Sequence, residues 1–143
     1  MTIGTDSGMM PATIGVEGGF VPFDVTLKFD WKQPPLHLNQ RMNKHAHDRI
    51  VAETRLAGKL MAHRIPALGK CRVTLTWYVV TKTVRDEENP VPTLKALCDG
   101  LVDAGVVVDD RPAYMKKLMP EIVWLDKKAG HVAHMTLRVE RIA

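Results

Sequence analysis

The chain has 143 residues, 45% of them hydrophobic, with 20 lysines and arginines against 16 aspartates and glutamates, for a net charge of +4. A single domain of this size buries roughly two-thirds of the surface its unfolded chain exposes. No apolar run approaches the ~20 residues of a membrane span and the N-terminus lacks the basic-then-apolar pattern of a signal peptide, so the expectation is a soluble, cytoplasmic protein.

Residues 1–21 are rich in Gly, Thr, Ser and Met without periodicity and read as a mobile N-terminal extension, ahead of one domain over 22–143. Asp24 to Asp30 alternates with Val25, Leu27 and Phe29 on one face, which predicts a half-buried strand. Pro34 and Pro35 then exclude regular structure. From about Met42 to His63 the pattern is helical, with Ala46, Ile50, Ala57, Leu60 and Met61 in one arc expected to face the core. Opposite them fall Arg41, Lys44, Arg49, Arg55 and Lys59, with Asp48 as the only acid among them. Such a face is either a solvated surface or a track for phosphates. His45 and His47, at i and i+2, point to different sides of this helix, so a histidine metal site is not expected.

After a turn at Pro66 to Lys70, Cys71 to Lys82 alternates apolar Val73, Leu75, Trp77 and Val79 with Arg72, Thr74, Thr76 and Tyr78, the clearest strand in the chain. It is expected to deliver Arg85 and Asp86 at a strand end. Pro92 starts a second helix, with Thr93 as a cap or first-turn residue and Leu94, Leu97 and Leu101 on one face until Gly105 ends it. The valines before Asp109 read as a short extended segment, Leu118 to Leu125 as a strand, and His131 to Ile142 as the returning strand with Ala133, Met135, Leu137 and Val139 inward. Cys71 and Cys98 lack metal-type spacing and sit in apolar patterns, where a small buried thiol is the expected role. The order β-α-β-α-β-β predicts an α/β domain, one mixed sheet with two helices packed on it.

Charge is unevenly distributed along this chain. Residues 84–110 hold seven acids (Asp86, Glu87, Glu88, Asp99, Asp103, Asp109 and Asp110) against Arg85 and Lys95, whereas both flanking segments are basic. An acidic patch in a basic protein suits a metal-dependent nuclease, whose carboxylates hold a divalent cation while the surrounding surface attracts phosphates. On composition alone, two ordinary acidic loops flanking a surface helix are the better explanation. Spacing adds that Lys95 and Asp99 lie one turn apart on one helix face, either a lysine aimed into the acidic cluster or a solvated pair worth a few tenths of a kcal/mol.

These residues resemble the RusA family of Holliday-junction resolvases, particularly phage-borne members. Arg85-Asp86-Glu87-Glu88-Asn89 is similar to the family's arginine and Asp-x-Asp-Asn motif, Leu94 to Leu101 to its helical lysine and aspartate series, and Gly105 to Asp110 to its glycine turn and Asp-Asp pair. The chain departs from the pattern in having Glu88 for the second aspartate and in the extra step Pro90-Val91-Pro92. The resemblance implies a Mg²⁺-dependent endonuclease, with Mn²⁺ as a substitute ion, that nicks four-way DNA junctions as a homodimer, in the host cytoplasm if phage-encoded. It implies Asp86, Glu88 and Asp110 as metal ligands and Lys95 as the catalytic lysine, with Asp109 and Asp99 as second choices. Arg85 is the expected phosphate contact, joined on the DNA-binding surface by Asn39, Arg41, Lys44, Arg49, Arg55 and Lys59. A branched-DNA-binding module without cleavage is the rival expectation. A hydrolase of small phosphates comes third, because no Gly-rich phosphate cradle is present.

Overall fold

The computed structural model describes residues 20–142; most of the expected N-terminal extension lies outside them. The central strand is β2 (Cys71–Val79). It pairs antiparallel with β5 (His134–Arg141), which pairs antiparallel with β1 (Asp24–Phe29). The register aligns three apolar rows across these strands: Phe29, Met135 and Trp77; Leu27, Leu137 and Leu75; Val25, Val139 and Val73. All nine side chains are buried. The intervening residues place Thr26, Arg138 and Thr74 in a polar row on the opposite face. One face of the sheet therefore carries the core and the other is polar, the pattern expected when helices cover only one side.

On its other edge β2 pairs parallel with two short strands in succession, β3 (Met115–Lys117) and β4 (Glu121–Trp124). The sequence predicts one strand over Leu118 to Leu125. The structure divides the pairing because Pro120 has no N–H to give to a ladder. The Leu118 N–H still reaches the Val73 carbonyl at 3.1 Å. The last turn before β5 is a 3₁₀ turn at Lys127–Ala129 with Gly130 at φ 90°.

Both helices pack on the core side of the sheet. The first, α1 (Lys44–Met61), begins where the Asn43 side chain accepts the Ala46 N–H at 2.8 Å. The second, α2 (Val91–Asp103), has Pro92 in its first turn and ends in Gly105 at φ 83°. There Gly105 N–H reaches the Val102 carbonyl and Val106 N–H the Leu101 carbonyl, the paired bonds of a Schellman cap. This cap turns the chain sharply, so Val106 to Val108 bends instead of extending as the sequence predicts, with Val106 and Val107 buried.

The expected core arc of α1 is also corrected. Leu60 is 59% exposed, and the buried helix positions are Thr54 and Gly58, with Ala57 and Met61 packed against the core at its edge. The cause is a close crossing with α2 through the smallest residues. A Cβ on Gly58 would stand 3.0 Å from the Leu97 carbonyl oxygen, and one on Gly100 would collide with the Arg55 carbonyl. A stripe of large apolar residues does not mark such a contact.

Candidate functional site

β2 ends at Val79, so the chain crosses residues 80–85 without strand pairing before it reaches the acids. The expectation that Asp86 sits at a strand end is thereby corrected: it lies on a turn. That turn is internally bonded. The Asp86 carboxylate accepts the Glu88 N–H at 3.0 Å and the Asp86 carbonyl accepts the Asn89 N–H at 3.0 Å. Asp86, Glu87 and Glu88 are all exposed. Arg85 folds back from them. Its guanidinium donates to the Thr81 and Thr83 carbonyls at 3.0 and 2.9 Å and to the Thr81 hydroxyl at 2.6 Å, and lies 5.2 Å above the Trp77 ring. Arg85 therefore holds the loop leading to the acids.

The turn is tied to the segment after the two prolines. Leu38 N–H reaches the Asn89 carbonyl at 3.3 Å, and the buried Thr93 hydroxyl accepts the Leu36 N–H at 3.0 Å and donates to the Leu36 carbonyl at 2.7 Å. This bonding carries Asn39 and Arg41 toward the α2 N-terminus; both are exposed. Two buried side-chain atoms next to the bond, Asn89 Oδ1 and His37 Nδ1, have no hydrogen-bond partner.

A second cluster forms across α2, the bend after it and β3. Lys95 Nζ donates to Asp99 at 3.0 Å and to Asp110 Oδ2 at 2.8 Å, and Lys117 Nζ reaches the same Asp110 oxygen at 2.8 Å. Lys117 is fixed on β3, opposite Val73 of β2. The two ammonium groups, Lys117 first, hold the Asp110 carboxyl well below the usual carboxylate range. Asp110 and Asp99 in turn raise Lys95 above the ordinary lysine range. Asp109 is outside this cluster: its carboxylate accepts the Asp110 N–H at 2.7 Å and pairs with Arg111 at 2.6 Å. Lys117 is not signalled as a site residue by the sequence, in which 116–117 fall between the expected elements.

The structure thus brings Lys95, Asp99 and Asp110 together and leaves Asp86 and Glu88 on a separate, exposed turn. Among the described residues, no three His, Cys, Asp or Glu side chains converge as a group able to hold a metal ion. The donor chemistry does suit a hard cation, because all three expected ligands offer carboxylate oxygens, although at Asp110 Oδ2 a cation would compete with the ammonium groups of Lys95 and Lys117.

The basic face of α1 is largely paired. Lys44 bonds Asp48 at 2.6 Å, Arg49 stands 3.9 Å from Glu53, and Arg55 grips Asp103 of α2 through two bonds of 2.6 and 2.8 Å. That fork raises the Arg55 pKa and lowers that of Asp103. Lys59 is exposed beside them. The two cysteines are buried free thiols, pushed by burial up to about 11 at Cys71 and about 12 at Cys98, which makes them poor nucleophiles.

No protein-family model and no curated protein matches this chain. No described helix is long and apolar enough to cross a membrane.

Proposed function

We propose that the protein is a Mg²⁺-dependent, structure-selective endonuclease that binds branched DNA and nicks strands at four-way junctions, in recombination or repair. The observation that carries this reading is the contact of Lys95 with Asp110, 15 positions apart at 2.8 Å. It joins the helical and the Asp-Asp parts of the motif that resembles the RusA family. A lysine of this kind is a compact charge able to neutralise a scissile phosphate or leaving oxygen.

In this reading Asp86, Glu88 and Asp110 would hold Mg²⁺, or Mn²⁺ in its place, which when bound supplies charge stabilisation at the attacking and leaving oxygens. Lys95 and Lys117 keep Asp110 ionised and oriented, and Asp99 holds Lys95 over it. Asn39, Arg41 and the α1 cations are the phosphate contacts of this reading. Two opposed nicks at one junction need two active sites, and the sequence has one acidic cluster without an internal repeat. A C2 homodimer in the cytoplasm is therefore part of the proposal.

A second reading, a branched-DNA-binding module without cleavage, is favoured by the separation of Asp86 and Glu88 from Asp110. A labelled four-way junction incubated with Mg²⁺ and with chelator decides between them. Metal-dependent nicking of the junction, but not of linear duplex, supports the nuclease. Binding without nicking in any divalent metal supports the module.

A further inference from the structure

The core-bearing face of the sheet continues at the C-terminal ends of β2 and β4. Trp77 pairs with Ile122 and Val79 with Trp124, so by strand alternation Trp124 points to the same side as the core residues. The two tryptophans are treated very differently. Trp77 is 8% exposed and donates its indole N–H to the Lys32 carbonyl at 3.0 Å, whereas Trp124 is 44% exposed. Lys82 Nζ stands 4.4 Å above the Trp124 ring. Trp124, Ile122, Lys82, Arg85 and Glu87 share the wall of an open depression of about 380 Å³. Its rim is the loop that leads directly into the Asp86 turn.

The geometry points to Trp124 as a stacking platform for an unpaired nucleobase, with Lys82 and the Arg85-braced loop receiving the adjoining phosphates. This rests on the reading of the protein as a nuclease of branched DNA and adds a site to it. An indole face beside cations is the combination by which proteins hold unpaired bases: every base has a π-face to stack, and the cation meets the backbone. Here it stands one short loop from the acids, where a strand running to the scissile phosphate would pass.

The test uses the intact protein in chelator, so that no cleavage intervenes, with a short oligothymidylate, a four-way junction and a linear duplex as probes. Tryptophan emission of the wild type is compared with that of Trp124→Phe, the difference reporting Trp124 itself. Stacking predicts that this difference signal is quenched by oligothymidylate and junction and much less by duplex. Trp124→Ala should weaken oligothymidylate binding by about tenfold or more. Trp124→Phe should bind closer to wild type, since phenylalanine keeps a π-face, and Lys82→Gln should reduce the salt dependence of binding. An unquenched Trp124 signal, or equal affinity of Trp124→Ala and wild type, overturns the proposal. So does a Trp124 emission that responds to protein concentration without DNA, which would make this edge a contact between copies of the chain. Nicking is read separately in Mg²⁺: quenching without junction nicking sinks the nuclease reading alone, and nicking with an indifferent Trp124 sinks the platform alone.

Discussion

Lys117 on β3 and Lys95 on α2 approach a single oxygen of Asp110, each at 2.8 Å. The bend that carries Asp110 is therefore fixed from a helix and from the sheet at once. The folded state depresses the Asp110 pKa below its unfolded value of about 4. A depressed carboxylate stabilises the fold above its unfolded pKa, and that contribution is lost as pH falls toward the folded value. Wild type should accordingly lose stability below about pH 4, and Lys117→Met should lose less of it over the same range. Urea unfolding midpoints measured from neutral pH downward test this. Parallel pH curves for the two proteins would show that Lys117 does not hold Asp110.

Asp110→Asn should abolish junction nicking while leaving binding intact or tighter, because a negative charge beside the phosphates is removed. The same substitution removes the charge that Lys117 and Lys95 share, while Lys95 keeps its bond to Asp99. Nicking in Mg²⁺ and gel-shift affinity in chelator, measured on one preparation, separate the two effects. An unchanged nicking rate removes Asp110 from the site.

Lys95→Ala should slow nicking far more than it weakens binding, since one cation contributes little to an interface made by many. The structure adds a control. Lys95 also bonds Asp99, and Asp99→Asn leaves the ammonium and its Asp110 contact in place, so it should reduce the rate less than Lys95→Ala. Equal rates for Lys95→Ala and wild type would leave Lys95 as a helix-surface ion pair.

Alternation in Cys71 to Val79 and in β5, and the proline and glycine that bound α2, make the sheet and the second helix legible from sequence. These are local signals of period two or of backbone stereochemistry. The site is legible only as pieces. Lys95 and Asp99 share a helix turn and can be paired from spacing, but the approach of Lys117 to Asp110 depends on the register of a three-residue strand that no periodicity marks. The end of β2 at Val79 depends on where its partner strands stop, which its own sequence does not contain. The α1 face misleads for a related reason: Thr54 and Gly58 are buried by the closeness of α2, and smallness is not hydrophobicity.

Gly100→Ala tests that closeness. The added methyl would meet the Arg55 carbonyl and the Lys59 amide, backbone atoms that cannot rotate away. The helices must separate, and overpacking of this type costs ~1–3 kcal/mol. In a domain of this size that lowers the melting temperature by ~2–4 °C for each kcal/mol. Alanine has the higher helix propensity by ~1 kcal/mol, so a melting temperature equal to or above wild type would mean that the crossing is looser than described.

The α1 cations give the last prediction, and their pairing changes its expected size. Replacing Arg49, Arg55 and Lys59 together by alanine should flatten the salt dependence of junction binding by up to ~0.9 in log–log slope for each phosphate no longer neutralised. Arg55 already has both carboxylate oxygens of Asp103 on its guanidinium. A phosphate must compete with that fork, so Arg55→Ala alone should change the slope less than Lys59→Ala alone. Exposed pairs of this kind contribute ~0.2–1 kcal/mol to stability, so Arg55→Ala should instead show a small loss in unfolding free energy. Measured slopes for the two single variants and the triple decide the matter. If the triple variant keeps the wild-type slope, the α1 face does not meet DNA, and its ion pairs serve only to join α1 to α2 and to itself.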